Sequence, residues 1–539
     1  MGPPTPPHVV VFPFPAQGHV NGAMDIARKL ASLGISITFV CTEAYIAHTI
    51  KNNVDIAGTA GGQGGATLPI RLVGLPDGLP PGSKADSVSQ VKVLVEVTEK
   101  MGPLVRDLLI KLNKEDRIAC VLYDFMLWWI GSLGRKLGMP TYIFYAMSAS
   151  FFSYLSYIPE FVSQGRLPLG PHTDLSDESN MFKIPGFPSL HASEVPDISW
   201  SPNVLCSFDY TLRSTAAWRD ATGILFNTVY ELEKEVIDAL RERAPEMDIR
   251  AVGPLLPDDF LSSSGEVVAA AKGGESTHKN AESSCLRWLD NQAAGSVLYI
   301  AFGTIATPRV EQLHALAMGL EASGERFVWV VRAEIQGDEE VDDDDDGAGE
   351  PAMEAAERKG KETNDRCRRK KLVEVAGGCN ISISANYTSV LPGGFEERTK
   401  GRGLVLWELA PQRKILAHPA IGGFLTHCGW NSTLEAISKG VPMLCCPMFG
   451  DQSMNSKWLE EVVHTGQHIQ LQADAKKEVQ RLVQLLMDPA SPSRLFANRL
   501  RDIVSSSTLS GGSSHVNIEA FIQTLRQPIP SPPIKEFPT

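Results

Sequence analysis

No stretch of the 539-residue chain approaches the roughly 20 consecutive apolar residues that cross a bilayer. The opening stretch, MGPPTPPHVVVFPFPAQGHV, has no basic segment ahead of its short apolar run. Membrane insertion and a secretory leader are therefore not expected, and a cytoplasmic protein is. Positive charge is in deficit: 50 Lys and Arg stand against 63 Asp and Glu, a formal net charge of −13 that argues against nucleic acid as a partner. The nine cysteines are an odd number without metal-finger spacing, and Cys41, Cys120, Cys445 and Cys446 fall in apolar strand-like runs. Buried reduced thiols are expected, and no disulfide framework. No G-x-G-x-x-G follows the first apolar run, which removes the usual dinucleotide turn of a nicotinamide oxidoreductase. The Gly-rich GTAGGQGGAT lacks the Lys-Ser/Thr of a phosphate loop and reads as a flexible loop.

What is present is a periodic succession. The first half alternates apolar runs (HVVVFPF, ISITFVC, IACVLYD, TYIFYA) with helical patterns over Asn21 to Leu33 and Phe125 to Gly138. The second half repeats the plan with GSVLYIAFG, RFVWVV, GLVLWEL, IGGFLTH and VPMLCC, interleaved with Val310 to Gly324, Asn431 to Gly440 and Ser453 to Val463. Continuous apolar runs separated by helices predict parallel sheets covered on both faces. The expected fold class is α/β, two Rossmann-like domains facing a central cleft, with ligands at the carboxyl ends of both sheets.

The expected domains are residues 1–255, an interdomain linker over 256–290 where Gly and Ser dominate, and a second domain over 291–505. A closing helix over 506–526 and a disordered tail over 527–539 follow. Within the second domain, residues 336–389 run from an acidic block, GDEEVDDDDDGAGE, into a basic one without apolar period. A solvated, disordered insertion is expected there, with a regulatory loop and retained non-coding sequence as the other readings. The run Asp342 to Asp346 lies in it and reads as solvated charge, so no metal is expected.

GGFLTHCGWNSTLEAISKGVP, Gly422 to Pro442, reads as a buried strand turning into a helix start. Free backbone N–H groups and the helix dipole there favour an anion, with His427, Asn431 and Ser432 able to add hydrogen bonds to a diphosphate. Glu435 has two readings: acceptor for a ribose hydroxyl pair, or partner of Ser432 in an S/T-x-x-E capping box.

The 44 residues from Leu409 to Gln452, LAPQRKILAHPAIGGFLTHCGWNSTLEAISKGVPMLCCPMFGDQ, resemble the donor-binding box of plant family 1 UDP-glycosyltransferases. Weaker resemblance extends from FPFPAQGHVN through WLDNQAAGSVLYIAFGT to GGSSHVNIEAFIQTL. The resemblance implies the GT-B fold, with acceptor bound mainly by the first domain and sugar nucleotide by the second. It implies that Gln412 and the Ala410 backbone meet uracil and that Glu435 meets ribose. Diphosphate contacts would come from His427, Asn431, Ser432 and Thr304, and sugar contacts from Trp430, Asp451 and Gln452. A terminal Gln in this box implies UDP-glucose as donor substrate, without cofactor or metal. His19 would be the general base, held by Asp124 at the end of CVLYD. Asp124 has an alternative use, capping the helix that follows.

The family box opens with a Trp that stacks on uracil; here Leu409 stands at that position and Trp407 lies two residues earlier. A two-residue offset in a strand is about 6.6 Å, too far for equivalent stacking, so weaker UDP binding is expected. Aromatic residues between Phe144 and Tyr157, with Trp128 and Trp129, are candidates for acceptor walls or for core packing. The expected function is transfer of glucose from UDP-glucose, with inversion, to a hydroxyl of a small lipophilic phenolic, flavonoid or terpenoid acceptor. The alternative is a degenerate nucleotide-sugar binder with weak or no turnover. The expected partners are a UDP-sugar and that small molecule; no motif specifies a protein partner.

Overall fold

A computed structural model describes residues 6–51, 70–78, 88–170, 173, 180–196, 208–261, 277–303, 308–331, 371–375, 379–383, 390–407 and 410–527. Thr304, Leu409 and the Gly-rich stretch lie outside the described residues. So does most of 336–389, of which two short strands, Lys371–Val375 and Cys379–Ile383, are described as an antiparallel pair.

The first sheet has seven strands in the order Ile70–Leu75, Ser36–Thr42, His8–Phe12, Ile118–Asp124, Thr141–Tyr145, Gly223–Phe226 and Asp248–Ala251. All its neighbours pair in parallel. His8–Phe12 is buried at every position, as a parallel strand covered on both faces must be. The second sheet has six parallel strands in the order Gly403–Leu406, Arg326–Val330, Val297–Ala301, Ile421–Thr426, Met443–Cys445 and Gly466–His468. Helices cover both sheets, giving an α/β architecture of two Rossmann-like halves.

Strand order reverses beside the first strand of each sheet. In the first sheet the crevice lies between His8–Phe12 and Ile118–Asp124, and in the second between Val297–Ala301 and Ile421–Thr426. Such switch points are where open α/β sheets place ligands. The segments leaving these four strands carry His19, Asp124, Gly303 and His427.

The last helix, Ser513–Arg526, packs back on the first sheet: Ile518, Phe521 and Leu525 share a core with Val9, Val11 and Tyr142. Two boundaries differ from expectation. The helix Thr277–Asp290 occupies the second part of the stretch assigned to a linker, because Cys285 and Leu289 bury fully in the core of the second domain. The first helix begins at Gln17, not Asn21, with His19 N–H and Val20 N–H both donating to Ala16 O. His19 therefore sits in the first turn of a helix rather than in a loop.

Candidate active site

One cavity of about 680 Å³ lies between the two halves and gathers residues from both switch points. A smaller hollow of about 400 Å³, lined by His8, Thr38, Arg71 and Asp116, collects none of the candidate site residues.

On the first-domain side, His19 Nδ1 is 2.7 Å from Asp124 Oδ2. Asp124 Oδ1 meanwhile accepts the Met126 N–H at 2.9 Å, capping the short turn Phe125–Leu127. The two readings of Asp124 are thus compatible, one oxygen serving each. An ionised carboxylate only accepts, so it selects the tautomer with hydrogen on Nδ1 and leaves Nε2 with a lone pair. His19 keeps 26% of its side chain accessible, while Asp124 keeps 4%. Burial depresses the imidazole pKa, but the Asp124 charge and hydrogen bond, with Asp451 farther off, outweigh it and the net shift is upward. Phe14 meets the His19 ring edge to face at 5.5 Å.

On the second-domain side, the helix Trp430–Lys439 starts at Gly429 without a side-chain cap and stops at Gly440 in the left-handed region. The expected capping box does not form, since Ser432 is already inside the first turn. Glu435 instead accepts from Gln412 Nε2 at 2.8 Å and from Arg413 Nε at 2.7 Å. A charge-assisted bond to a guanidinium outcompetes a backbone N–H. Gln412 Nε2 also donates to Ser432 Oγ at 2.9 Å. These contacts bring Gln412, Ser432 and Glu435 into one cluster on the cavity wall, with Ala410 beside them.

His427 follows the strand Ile421–Thr426 and lines the cavity. Burial pushes its pKa down to about 4, so it is a neutral imidazole at physiological pH. Its buried Nδ1 has no partner among the described residues, a state that costs free energy. The ring fits because two neighbours lack side chains: a Cβ at Gly429 would lie 2.4 Å from Nε2, and one at Gly303 2.7 Å from it.

Asn431 Nδ2 donates across the cleft to Gly18 O at 3.3 Å, tying the helix start to the residue before His19. Trp430 also lines the cavity, and its indole N–H donates to Asn227 O at 2.8 Å, bracing the cleft wall. Asp451 and Gln452 both face the cavity. Gln452 uses its amide oxygen to accept the Met448 and Phe449 N–H groups, leaving its amide nitrogen as the end available to a ligand. Burial raises the Asp451 pKa to about 6, against the lowering effects of Asn455 and His19.

The first-domain side of the cavity is apolar, with Phe14, Phe125, Met126, Met147, Phe151 and Leu155 on it and Tyr210, Thr211 and Ser214 beside them. Tyr210 Oη donates to Met126 O. Of the aromatic candidates, Phe151 reaches the cavity, whereas Phe144, Phe152 and Tyr154 belong to buried core. Trp128 and Trp129 pack against that core outside the cavity lining; Trp407, also outside it, packs against the second-domain core, where its indole serves Glu396. Sequence reasoning missed Asp25, Arg413, Asn227 and Asn455. Arg413 carried a readable signal, a charge next to Gln412 in a box of mostly small and apolar residues, and Asn455 another, its i,i+4 spacing from Asp451.

Residues 385–491 match the profile of the family described as UDP-glucoronosyl and UDP-glucosyl transferase, and residues 7–162 match that of the glycosyltransferase N-terminal domain. The chain is 32% identical to UDP-glycosyltransferase 85A1 of Arabidopsis thaliana, over 96% of each chain. It is 31% identical to the 7-deoxyloganetin glucosyltransferase of Gardenia jasminoides, over 96% of this chain and 97% of that one. Among solved structures, UGT2 of Phytolacca americana complexed with UDP-2fluoro-glucose and pterostilbene superposes with a TM-score of 0.72 at 25% identity, over 97% of this chain and 100% of that chain.

Proposed function

Since the chain belongs to the plant family 1 UDP-glycosyltransferases, enzymes that transfer hexosyl groups on a GT-B fold, we propose that it moves glucose from UDP-glucose to a hydroxyl of a small lipophilic acceptor, with inversion. The observation that carries this reading is the His19–Asp124 pair, standing across a single cavity from the helix start at Gly429–Asn431.

Asp124 holds His19 so that Nε2 receives the acceptor hydroxyl proton. The acceptor oxygen then forms a bond to the anomeric carbon as the bond from that carbon to the diphosphate oxygen breaks, and the departing electron pair stays on UDP. Attack from the face opposite the leaving group inverts the configuration. Negative charge growing on the diphosphate meets the N–H groups at the helix start and the neutral His427 imidazole, which acts as a hydrogen-bond donor and not as a cation. No divalent ion is needed in this scheme, and a chelator is expected to leave turnover unchanged. Gln412 and Ala410 serve uracil, Glu435 ribose, Asn431 and Ser432 the diphosphate, and Trp430, Asp451 and Gln452 the sugar; Thr304 joins the diphosphate set by its place in the sequence.

The apolar wall from Phe14 to Leu155 favours a phenolic, flavonoid or terpenoid alcohol. Among the described residues no helix is long and apolar enough to cross a membrane, and we assign the enzyme to the cytoplasm. The deciding experiment is mass spectrometry of products from UDP-glucose with a panel of such acceptors, beside His19→Ala. A gain of one hexose that disappears in the variant is expected. UDP-glucose binding without product from any acceptor overturns the transferase reading in favour of a nucleotide-sugar binder.

A further inference from the structure

Asn455 lies on the helix Gln452–Lys457, 1% exposed, and its amide uses both N–H donors and one direction of its oxygen. Nδ2 donates to Asp451 Oδ2 at 2.7 Å and to Cys428 O at 2.9 Å, while Oδ1 accepts from Ser148 Oγ at 2.9 Å. The first two partners belong to the donor half. Ser148 comes from the other domain, where it caps the helix Ala149–Ser163 by accepting the Phe151 N–H at 3.3 Å. That helix delivers Phe151 and Leu155 to the acceptor wall.

Cys428 adds a second observation. Its φ of 66° is in the left-handed region, a conformation costly for a residue with a side chain. The turn that aims Gly429 to Asn431 into the cleft is therefore held from outside, and Asn455 is what holds its carbonyl. A purely structural amide would have no reason to grip the carboxylate that faces the sugar, the strained turn and the acceptor helix together.

From this geometry we infer that Asn455 is a positioning residue for glucosyl transfer: it aims the Asp451 carboxylate at the sugar and, through Ser148, fixes the sugar subsite against the acceptor wall. The inference rests on the proposed function, because it assigns Asp451 to the sugar. The oriented pair makes the acceptor oxygen and the anomeric carbon meet at a set distance, and errors of about 1 Å in such placement cost roughly 100-fold in rate.

The test compares wild type, Asn455→Ala and Ser148→Ala by calorimetric titration with UDP and with UDP-glucose, followed by steady-state kinetics. For Asn455→Ala, affinity for UDP-glucose is expected to fall about 10-fold more than affinity for UDP, since only the former has a sugar for Asp451 to hold. For Ser148→Ala, both affinities should stay within about twofold while kcat falls at least about fivefold at saturating substrates. Equal losses for UDP and UDP-glucose in Asn455→Ala mark a general structural role and overturn the sugar arm; an unchanged kcat in Ser148→Ala overturns the interdomain arm. Should Asn455→Ala not fold, Asn455→Ser takes its place in the comparison of the two affinities, and Ser148→Ala still decides the interdomain arm. If wild type binds UDP-glucose yet forms no glucoside, the proposed function fails, while the ratio of the two affinities still decides what Asn455 does.

Discussion

The Arg413 guanidinium joins the two domains: its Nη2 is 2.9 Å from Asp25 Oδ2 on the helix that carries His19, while its Nε is 2.7 Å from Glu435. Asp25 and Glu435 are each nearly buried, with side chains 12% and 8% exposed, and Arg413 is 32% exposed. Burial raises the Asp25 pKa even against the lowering influence of Arg413, so the site is one where desolvation is already costly. Arg413→Leu strands two carboxylates together. A loss of about 1–3 kcal/mol in unfolding free energy is expected, less than for a fully buried triad because water reaches the guanidinium. The donor Michaelis constant should rise as Glu435 loses a partner that orients it. Denaturant titration beside donor kinetics checks both, and a variant with unaltered stability and donor affinity refutes the clasp.

Asp124→Asn separates charge from shape. The amide oxygen still accepts from Met126 N–H, so the turn after the strand survives. Facing His19 Nδ1, the amide N–H₂ is a donor where an acceptor is needed, and it favours the tautomer with hydrogen on Nε2. That nitrogen then has no lone pair for the acceptor proton. A fall in kcat of at least about 100-fold, with UDP affinity within about twofold of wild type, is expected from kinetics and titration. Retained turnover counts against His19 as base.

The pH profile follows from the same pair. A general base works when unprotonated, so kcat/KM should rise with pH through the His19 pKa. That value lies above the ordinary imidazole pKa because the Asp124 carboxylate overcomes the burial that depresses it. Removing the charge in Asp124→Asn leaves burial in command, and the inflection of the residual activity should move to lower pH. Movement upward, or no movement, shows that another group sets the acid limb.

The strand-helix succession was legible because parallel strands buried on both faces read as unbroken apolar runs, Val9–Val11 and Leu298–Ile300 among them. Short strands were harder: Gly223–Phe226 and Asp248–Ala251 are four residues each, and the second alternates polar with apolar. The helix starts at Gln17, ahead of the Asn21 that the apolar pattern indicates, since two prolines and Gly18 in FPFPAQGHV look like a loop while Ala16 supplies an extended helix entrance. Asp124, ending an apolar run, could be placed beside the first strand from the fold class alone. What sequence spacing could not supply are contacts between domains. Arg413 meets Asp25 across 388 positions, and Ser148 meets Asn455 across 307. Nor could a capping motif reveal that Glu435 had a stronger partner in Arg413.

Gly429→Ala probes the cradle of His427. The new Cβ would stand 2.4 Å from Nε2, closer than real contacts, and the ring has no room on the Gly303 side, where a Cβ would also come within 2.7 Å of it. Either the imidazole or the helix start must shift by several tenths of an ångström, and both belong to the proposed diphosphate site. UDP affinity is expected to fall at least about tenfold, while His19-side binding of acceptor is spared. Calorimetry with UDP alone reads the effect, and an unchanged affinity removes His427 from the diphosphate site.

Leu409 gives the prediction that depends on sequence alone. A leucine offers a nucleobase apolar contact but no aromatic face, and base stacking on an indole is worth about 1–3 kcal/mol. The residue that comes nearest in sequence, Trp407, does not line the cavity; it is held against the second-domain core near Glu396. Trp407 therefore does not stand in for the ring that the family carries at this position. Leu409→Trp should tighten UDP by about 10-fold and lower the donor Michaelis constant in proportion, with little change in kcat, because a uracil contact is the same in ground and transition states. Titration with UDP on the two proteins decides the matter. Equal affinities mean that uracil is held by Gln412 and Ala410 without a stacking partner, and that this chain has given up an aromatic platform at no cost to its donor.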